Sequence, residues 1–109
     1  RVFVTTELDS KKPRNITRFI KDDTSDDKSL KCVIQFLPGA PTSIRFNTDN
    51  KTNFTTIDTN NIDAYTIYKN GSVVSIPFGV ESDDTIEITI VKTDSNKTAE
   101  IVLNGLMIV

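Results

Sequence analysis

The chain has no histidine and no tryptophan, and only one cysteine, one methionine, four glycines and four prolines in 109 residues. Each scarcity removes something. Without histidine there is no Ser-His or Cys-His nucleophile pair, no imidazole acid–base chemistry, and none of the commonest zinc ligand. Four scattered glycines build no phosphate-cradling loop. A single cysteine, Cys32, excludes an intrachain disulfide. It lies in phase with Leu30, Ile34 and Phe36, so it is expected as a small buried hydrophobe and not as a reactive thiol. No apolar run approaches the roughly 18 residues of a membrane-spanning helix. The net charge of −2 is spread over both signs. The basic cluster Lys11, Lys12, Arg14, Arg18 and Lys21 is answered at once by Asp22, Asp23, Asp26 and Asp27. A nucleic-acid surface is therefore not expected, nor is membrane insertion.

What is present is period-two patterning. Asn70-Gly71 supplies the two positive-φ positions of a type I′ turn between Ala64-Tyr65-Thr66-Ile67-Tyr68-Lys69 and Ser72-Val73-Val74-Ser75-Ile76. With that tip, Lys69 faces Ser72, Tyr68 faces Val73, Ile67 faces Val74 and Tyr65 faces Ile76. Tyr65, Ile67, Val74 and Ile76 then share an apolar face, and Tyr68 looks outward. Leu30, Cys32, Ile34 and Phe36 alternate as a second strand, ended by Pro38-Gly39-Ala40-Pro41. Ile86, Ile88 and Ile90 alternate as a third, and Ala99, Ile101 and Leu103 as a fourth. The turn signal Asp94-Ser95-Asn96-Lys97 between the last two predicts a hairpin pairing Ile90 with Ile101 and Ile88 with Leu103. Asn104-Gly105 predicts a bulge or bend, after which Leu106 and Ile108 resume the alternation with shifted parity. Val2-Phe3-Val4, Ile44 with Phe46, and Phe54 with Ile57 mark shorter strands. Ile16–Ile20 fits a strand or a helical turn equally.

About seven or eight short strands without a long helix predict an all-β, antiparallel β-sandwich, Ig-like or jelly-roll in format. Residues 1–109 are expected as a single domain. The chain starts at Arg1 and ends inside the apolar run Leu106–Val109, which reads as a module or processed piece of a larger protein.

Candidate sites are few. Paired-carboxylate catalysis needs two acids facing each other across a cleft, whereas Glu87 and Glu100 fall on exposed strand faces, so no enzyme is expected and no cofactor. Calcium is the one metal to consider. Asp22, Asp23, Asp26 and Asp27 gather hard oxygen ligands in one loop, as do Asp83 and Asp84 in another, although without the EF-hand spacing. Tyr68 on an outer strand face, with Phe54 and Phe78 near turns, offers the aromatic surface a glycan would stack on. Asn15, Asn50, Asn53, Asn70 and Asn96 each head an Asn-x-Ser/Thr glycosylation sequon.

The function expected by elimination is a non-catalytic structural or interaction module of a larger extracellular, cell-surface or virion (phage-type) assembly. Its contacts are with other protein chains, including copies of itself. The alternatives are a carbohydrate-binding or adhesion module and a glycosylated receptor-like ectodomain.

Overall fold

A computed structural model describes residues 3–7, 13–21 and 28–108. They form strands β1 (Phe3–Glu7), β2 (Asn15–Lys21), β3 (Ser29–Phe36), β4 (Ser43–Asn47), β5 (Thr52–Asn60), β6 (Ile62–Lys69), β7 (Ser72–Val74), β8 (Phe78–Val80), β9 (Thr85–Lys92) and β10 (Ala99–Met107). All pairings are antiparallel. The strands make a six-stranded sheet in the order β1-β2-β3-β10-β5-β8 and a four-stranded sheet in the order β4-β9-β6-β7. The expected sandwich is the fold. It holds more strands than expected, among them β8, which at three residues is too short to show a period.

The core is the sum of the alternating faces. Leu30, Cys32, Ile34 and Phe36 from β3 meet Ile86, Ile88 and Ile90 from β9, with Ala99, Ile101 and Leu103 from β10, and all of these are buried. Burial pushes the Cys32 thiol far above its ordinary range, so it packs as a hydrophobe. Phe19 of β2 reaches Phe46 of β4 edge-on, ring centroids 5.3 Å apart, and links the two layers.

The Asn70-Gly71 hairpin forms as patterned. Both residues have positive φ (51° and 86°), and Ile67↔Val74, Tyr68↔Val73 and Lys69↔Ser72 are paired. The pairing stops at Val74. Ile76 and Pro77, joined by a cis peptide bond, then carry the chain across to β8. Tyr65 therefore has no partner in Ile76. It sits opposite Ile90 instead and is 41% exposed, where a core position was expected.

The C-terminal hairpin is not formed. β9 pairs with β4 and β6, whereas β10 pairs with β3 and β5, so Asp94–Lys97 turns the chain from one sheet to the other. Ile101 lies beside Ile34 and Leu103 beside Cys32. The two apolar faces do meet, but across the core instead of side by side. Alternation specifies which face is buried and leaves the lateral neighbour open.

Gly105 marks a bulge, as expected, but the extra residue is Thr55 on the partner strand: Asn104 opposes Thr56 while Gly105 opposes Phe54. β10 itself runs straight past Leu30 and keeps its parity. Met107 packs against the core, and Leu106 and Ile108 stand half exposed on the outside. A Cβ at Gly105 would lie 2.5 Å from the Asn53 carbonyl oxygen and 2.9 Å from the Phe54 Cα. That is neighbouring-strand backbone, which cannot swing aside. Gly105→Ala is expected to lower the unfolding free energy by about 2–3 kcal/mol, as measured by urea denaturation, with an unchanged midpoint contradicting the close approach.

Candidate functional site

The sandwich is tied shut at the end carrying the hairpin tip. The backbone N–H of Asn70 donates to the Thr85 carbonyl (2.8 Å), and the Thr85 N–H donates to Asn70 Oδ1 (3.0 Å). Asn70 Nδ2 donates to Asp84 Oδ1 (2.9 Å), whose other oxygen accepts the Glu81 N–H (2.8 Å). The adjoining loop is bound in as well. Asp83 N–H donates to the Thr48 carbonyl and Ser82 Oγ to the Asp49 carbonyl, both at 3.0 Å. A positive φ of 71° at Asp83 is one that Asp tolerates better than most side chains. Lys69 Nζ reaches the Gly79 carbonyl at 2.9 Å.

This network uses the acidic loop structurally. Both Asp84 oxygens already accept hydrogen bonds, foremost that from the Glu81 backbone, and these hold its carboxyl below the usual value. These bonds use one acceptor site on each of its two oxygens. Among the described residues, no group of three or more metal-ligating Cys, Asp or Glu side chains converges. Asp22, Asp23, Asp26 and Asp27 lie outside the described residues.

The two phenylalanines expected near turns are in the core. Phe54 is 1% and Phe78 7% exposed, their ring centroids 5.5 Å apart across the β5–β8 pair. Neither offers a face to a glycan. Both have the inward phase of very short strand pairings, which a turn-rich sequence conceals.

Tyr68 is on the outer face, as expected. It stands half-buried between Val73 of β7 and Glu87 of β9. Glu87 in turn accepts from Arg45 Nη2 of β4 at 3.1 Å, an exposed ion pair that adds little stability. The next row across this sheet is Ser43, Thr89 and Thr66. Arg45, Asn70, Gly71, Thr85 and Glu87 border a shallow depression of about 360 Å³ at the edge of this face. A second hollow, of about 440 Å³, lies between Gly39-Ala40 and Ile90–Lys92. There Lys92 Nζ donates to the Leu37 carbonyl, and partial burial lowers the ammonium below its usual pKa.

The sequons divide by exposure. Asn15 is fully buried with Nδ2 donating 2.6 Å to the Ser43 carbonyl, so a glycan there is incompatible with the fold. That expectation is corrected: Asn15 is an inward strand residue that happens to precede Ile-Thr. Asn53 and Asn96 are exposed, Asn50 is half-buried, and the amide of Asn70 is engaged in the tie just described.

What sequence reasoning did not locate is which strand edge stays bare. β8 covers β5 only over Thr52–Phe54, and β7 covers β6 only over Ile67–Lys69. The remaining halves, Thr55–Asn60 and Ile62–Thr66, have no lateral neighbour on that side among the described residues. The available signal was Pro77, which ends the second arm of the hairpin too soon to cover the first. No known protein-family model matches the chain, and no curated protein shows significant sequence similarity to it.

Because the folded-state pKa of Asp84 is depressed below 3.8, its ionised form stabilises the fold above that pH, and the contribution is lost as pH falls through the folded value. The melting temperature of the wild type should therefore exceed that of Asp84→Ala at pH 6, with the gap narrowing below pH 4. A gap independent of pH would contradict the charged tie.

Proposed function

We propose that the chain is a non-catalytic interaction module that works through contacts with other protein chains in a larger extracellular, cell-surface or virion assembly. The observation that carries this reading is the open backbone along β5 and β6, beside a sandwich whose other features are accounted for structurally. Unpaired strand edges are templates for further pairing, and proteins that must avoid it usually cover or charge them. Apolar side chains add contact area: Val73 and Val91 on one sheet are 65% and 58% exposed, and Leu106 and Ile108 on the other are 49% and 52% exposed. Asp84, Glu87, Asn70 and Lys69 are occupied in holding loops and strands together, which favours a scaffold over a reaction centre.

One observation favours a second reading. Tyr68, the Arg45–Glu87 pair and the hydroxyls of Thr66 and Thr89 share one flat face, a combination of aromatic surface and fixed polar groups suited to a glycan.

Photo-crosslinking side chains placed in turn at Val73, Val91 and Leu106, in the cell or particle that makes the protein, should give discrete protein adducts on at least one face. Adducts at none of the three, together with reproducible glycan-array binding lost in Tyr68→Ala, would replace the first reading with the second.

A further inference from the structure

Which backbone groups the open edge presents follows from the ladder. The Met107 N–H donates to the Lys28 carbonyl and the Ile108 N–H to the Lys51 carbonyl. In an antiparallel sheet the direction alternates residue by residue. Odd-numbered residues of β10 therefore address β3, and even-numbered ones address β5. Val102 pairs with Asp58 and Glu100 with Asn60, so Asp58 and Asn60 spend their N–H and C=O groups on β10. Ile57 and Thr59 point theirs away, to the side where β8 has already ended.

The side chains give the same indication. Ile57 and Thr59 oppose Leu103 and Ile101, both completely buried, and so face the inside of the sandwich. Yet Ile57 is only partly buried and Thr59 is exposed. Across the mouth, Ile62 is partly buried, and Tyr65, opposite buried Ile90, is 41% exposed. The chain passes from one sheet to the other through Asn61, at a φ of 59°, so both bare stretches flank the same side. These are inward-facing side chains with no strand paired over them among the described residues.

Charge narrows the occupant. From Thr52 to Tyr68 the chain carries Asp58 and Asp63 and no lysine or arginine. Asp58 is exposed on the outer face, between the two edge-directed residues. A second copy paired edge to edge and antiparallel about this point would set Asp58 against Asp58, which is unfavourable.

We propose that β5 accepts an extended segment of another protein as an added strand in line with β8. That segment hydrogen-bonds to Ile57 and Thr59, carries Lys or Arg opposite Asp58, and places β-branched apolar residues on either side of that cation to fill the mouth towards Ile57, Ile62 and Tyr65. This deepens the protein-contact reading and rests on it, naming the site and the chemistry of the partner.

The test uses two synthetic nine-residue peptides of alternating valine and a charged residue, one with lysine and one with glutamate, titrated into the folded domain and followed by amide chemical shifts. The lysine peptide should shift the Ile57 and Thr59 amides and bind about three- to tenfold more tightly than the glutamate peptide. Asp58→Lys should reverse that order. Thr59→Pro removes an N–H that β10 does not use, so it should leave the fold intact and abolish the shifts. Equal binding of both peptides to the wild type, or shifts confined to residues away from β5, would overturn the proposal. So would shifts at these amides that grow with protein concentration alone, which would point to a second copy. Crosslinks at Val73, Val91 or Leu106 would still stand in each case, so loss of this site is separable from loss of the broader reading.

Discussion

Strands β3, β9 and β10 each bury an alternating apolar face, and packing those faces against each other is the constraint from which the rest follows. β3 and β10 turn theirs towards β4 and β9, and two sheets packed face to face are the arrangement that removes them all from water. That requirement overrides the nearest available pairing. β9 and β10 are joined by only six residues, yet they lie in different sheets, with Ile88 and Leu103 both completely buried. The chain also crosses between sheets at Asn61, whose carbonyl and amide bond to Thr93 and Thr98 of the β9–β10 connection, and again at Ile76-Pro77. A strand that changes layers cannot cover the full length of its predecessor.

The layers were legible because burial writes a period-two pattern, and the hairpin tip was legible because Asn-Gly meets a steric demand. Lateral order was not legible, since Ile86, Ile88 and Ile90 carry the same signal whichever strand lies beside them. β2 was ambiguous for a physical reason as well. Its inward residues are Asn15, Thr17 and Phe19, while Ile16 and Ile20 lie on the outer face half-buried, so the apolar letters mark the wrong side. Asn15 is tolerated inside because its amide reaches the Ser43 carbonyl of the facing sheet, a partner 28 residues away. Asp83 and Asp84, suggestive as ligands in sequence, are committed to loop geometry, and only the three-dimensional proximity of Asn70 and Thr48 discloses it.

The two ends of the hairpin thus have opposite characters. At the tip, the Asn70–Thr85–Asp84 bonds fasten the turn to the start of β9, and the Lys69–Gly79 bond ties one layer to the other. At the base, after the chain departs at Val74, Thr55–Asn60 of β5 and Ile62–Thr66 of β6 are unpaired on that side among the described residues. Local stability and local availability are distributed along one β-hairpin, and a rigid frame with one unfilled strand position is a format suited to recruiting a segment from outside.

The most direct measurement is residue-resolved amide hydrogen exchange along β5 in the free domain. The account predicts an alternation, with Asp58 and Asn60 protected by β10 while Ile57 and Thr59, two residues of the same strand, exchange near the rate of an open chain. Uniform protection across residues 57–60 would mean that the edge is already covered, and it would contradict the central claim.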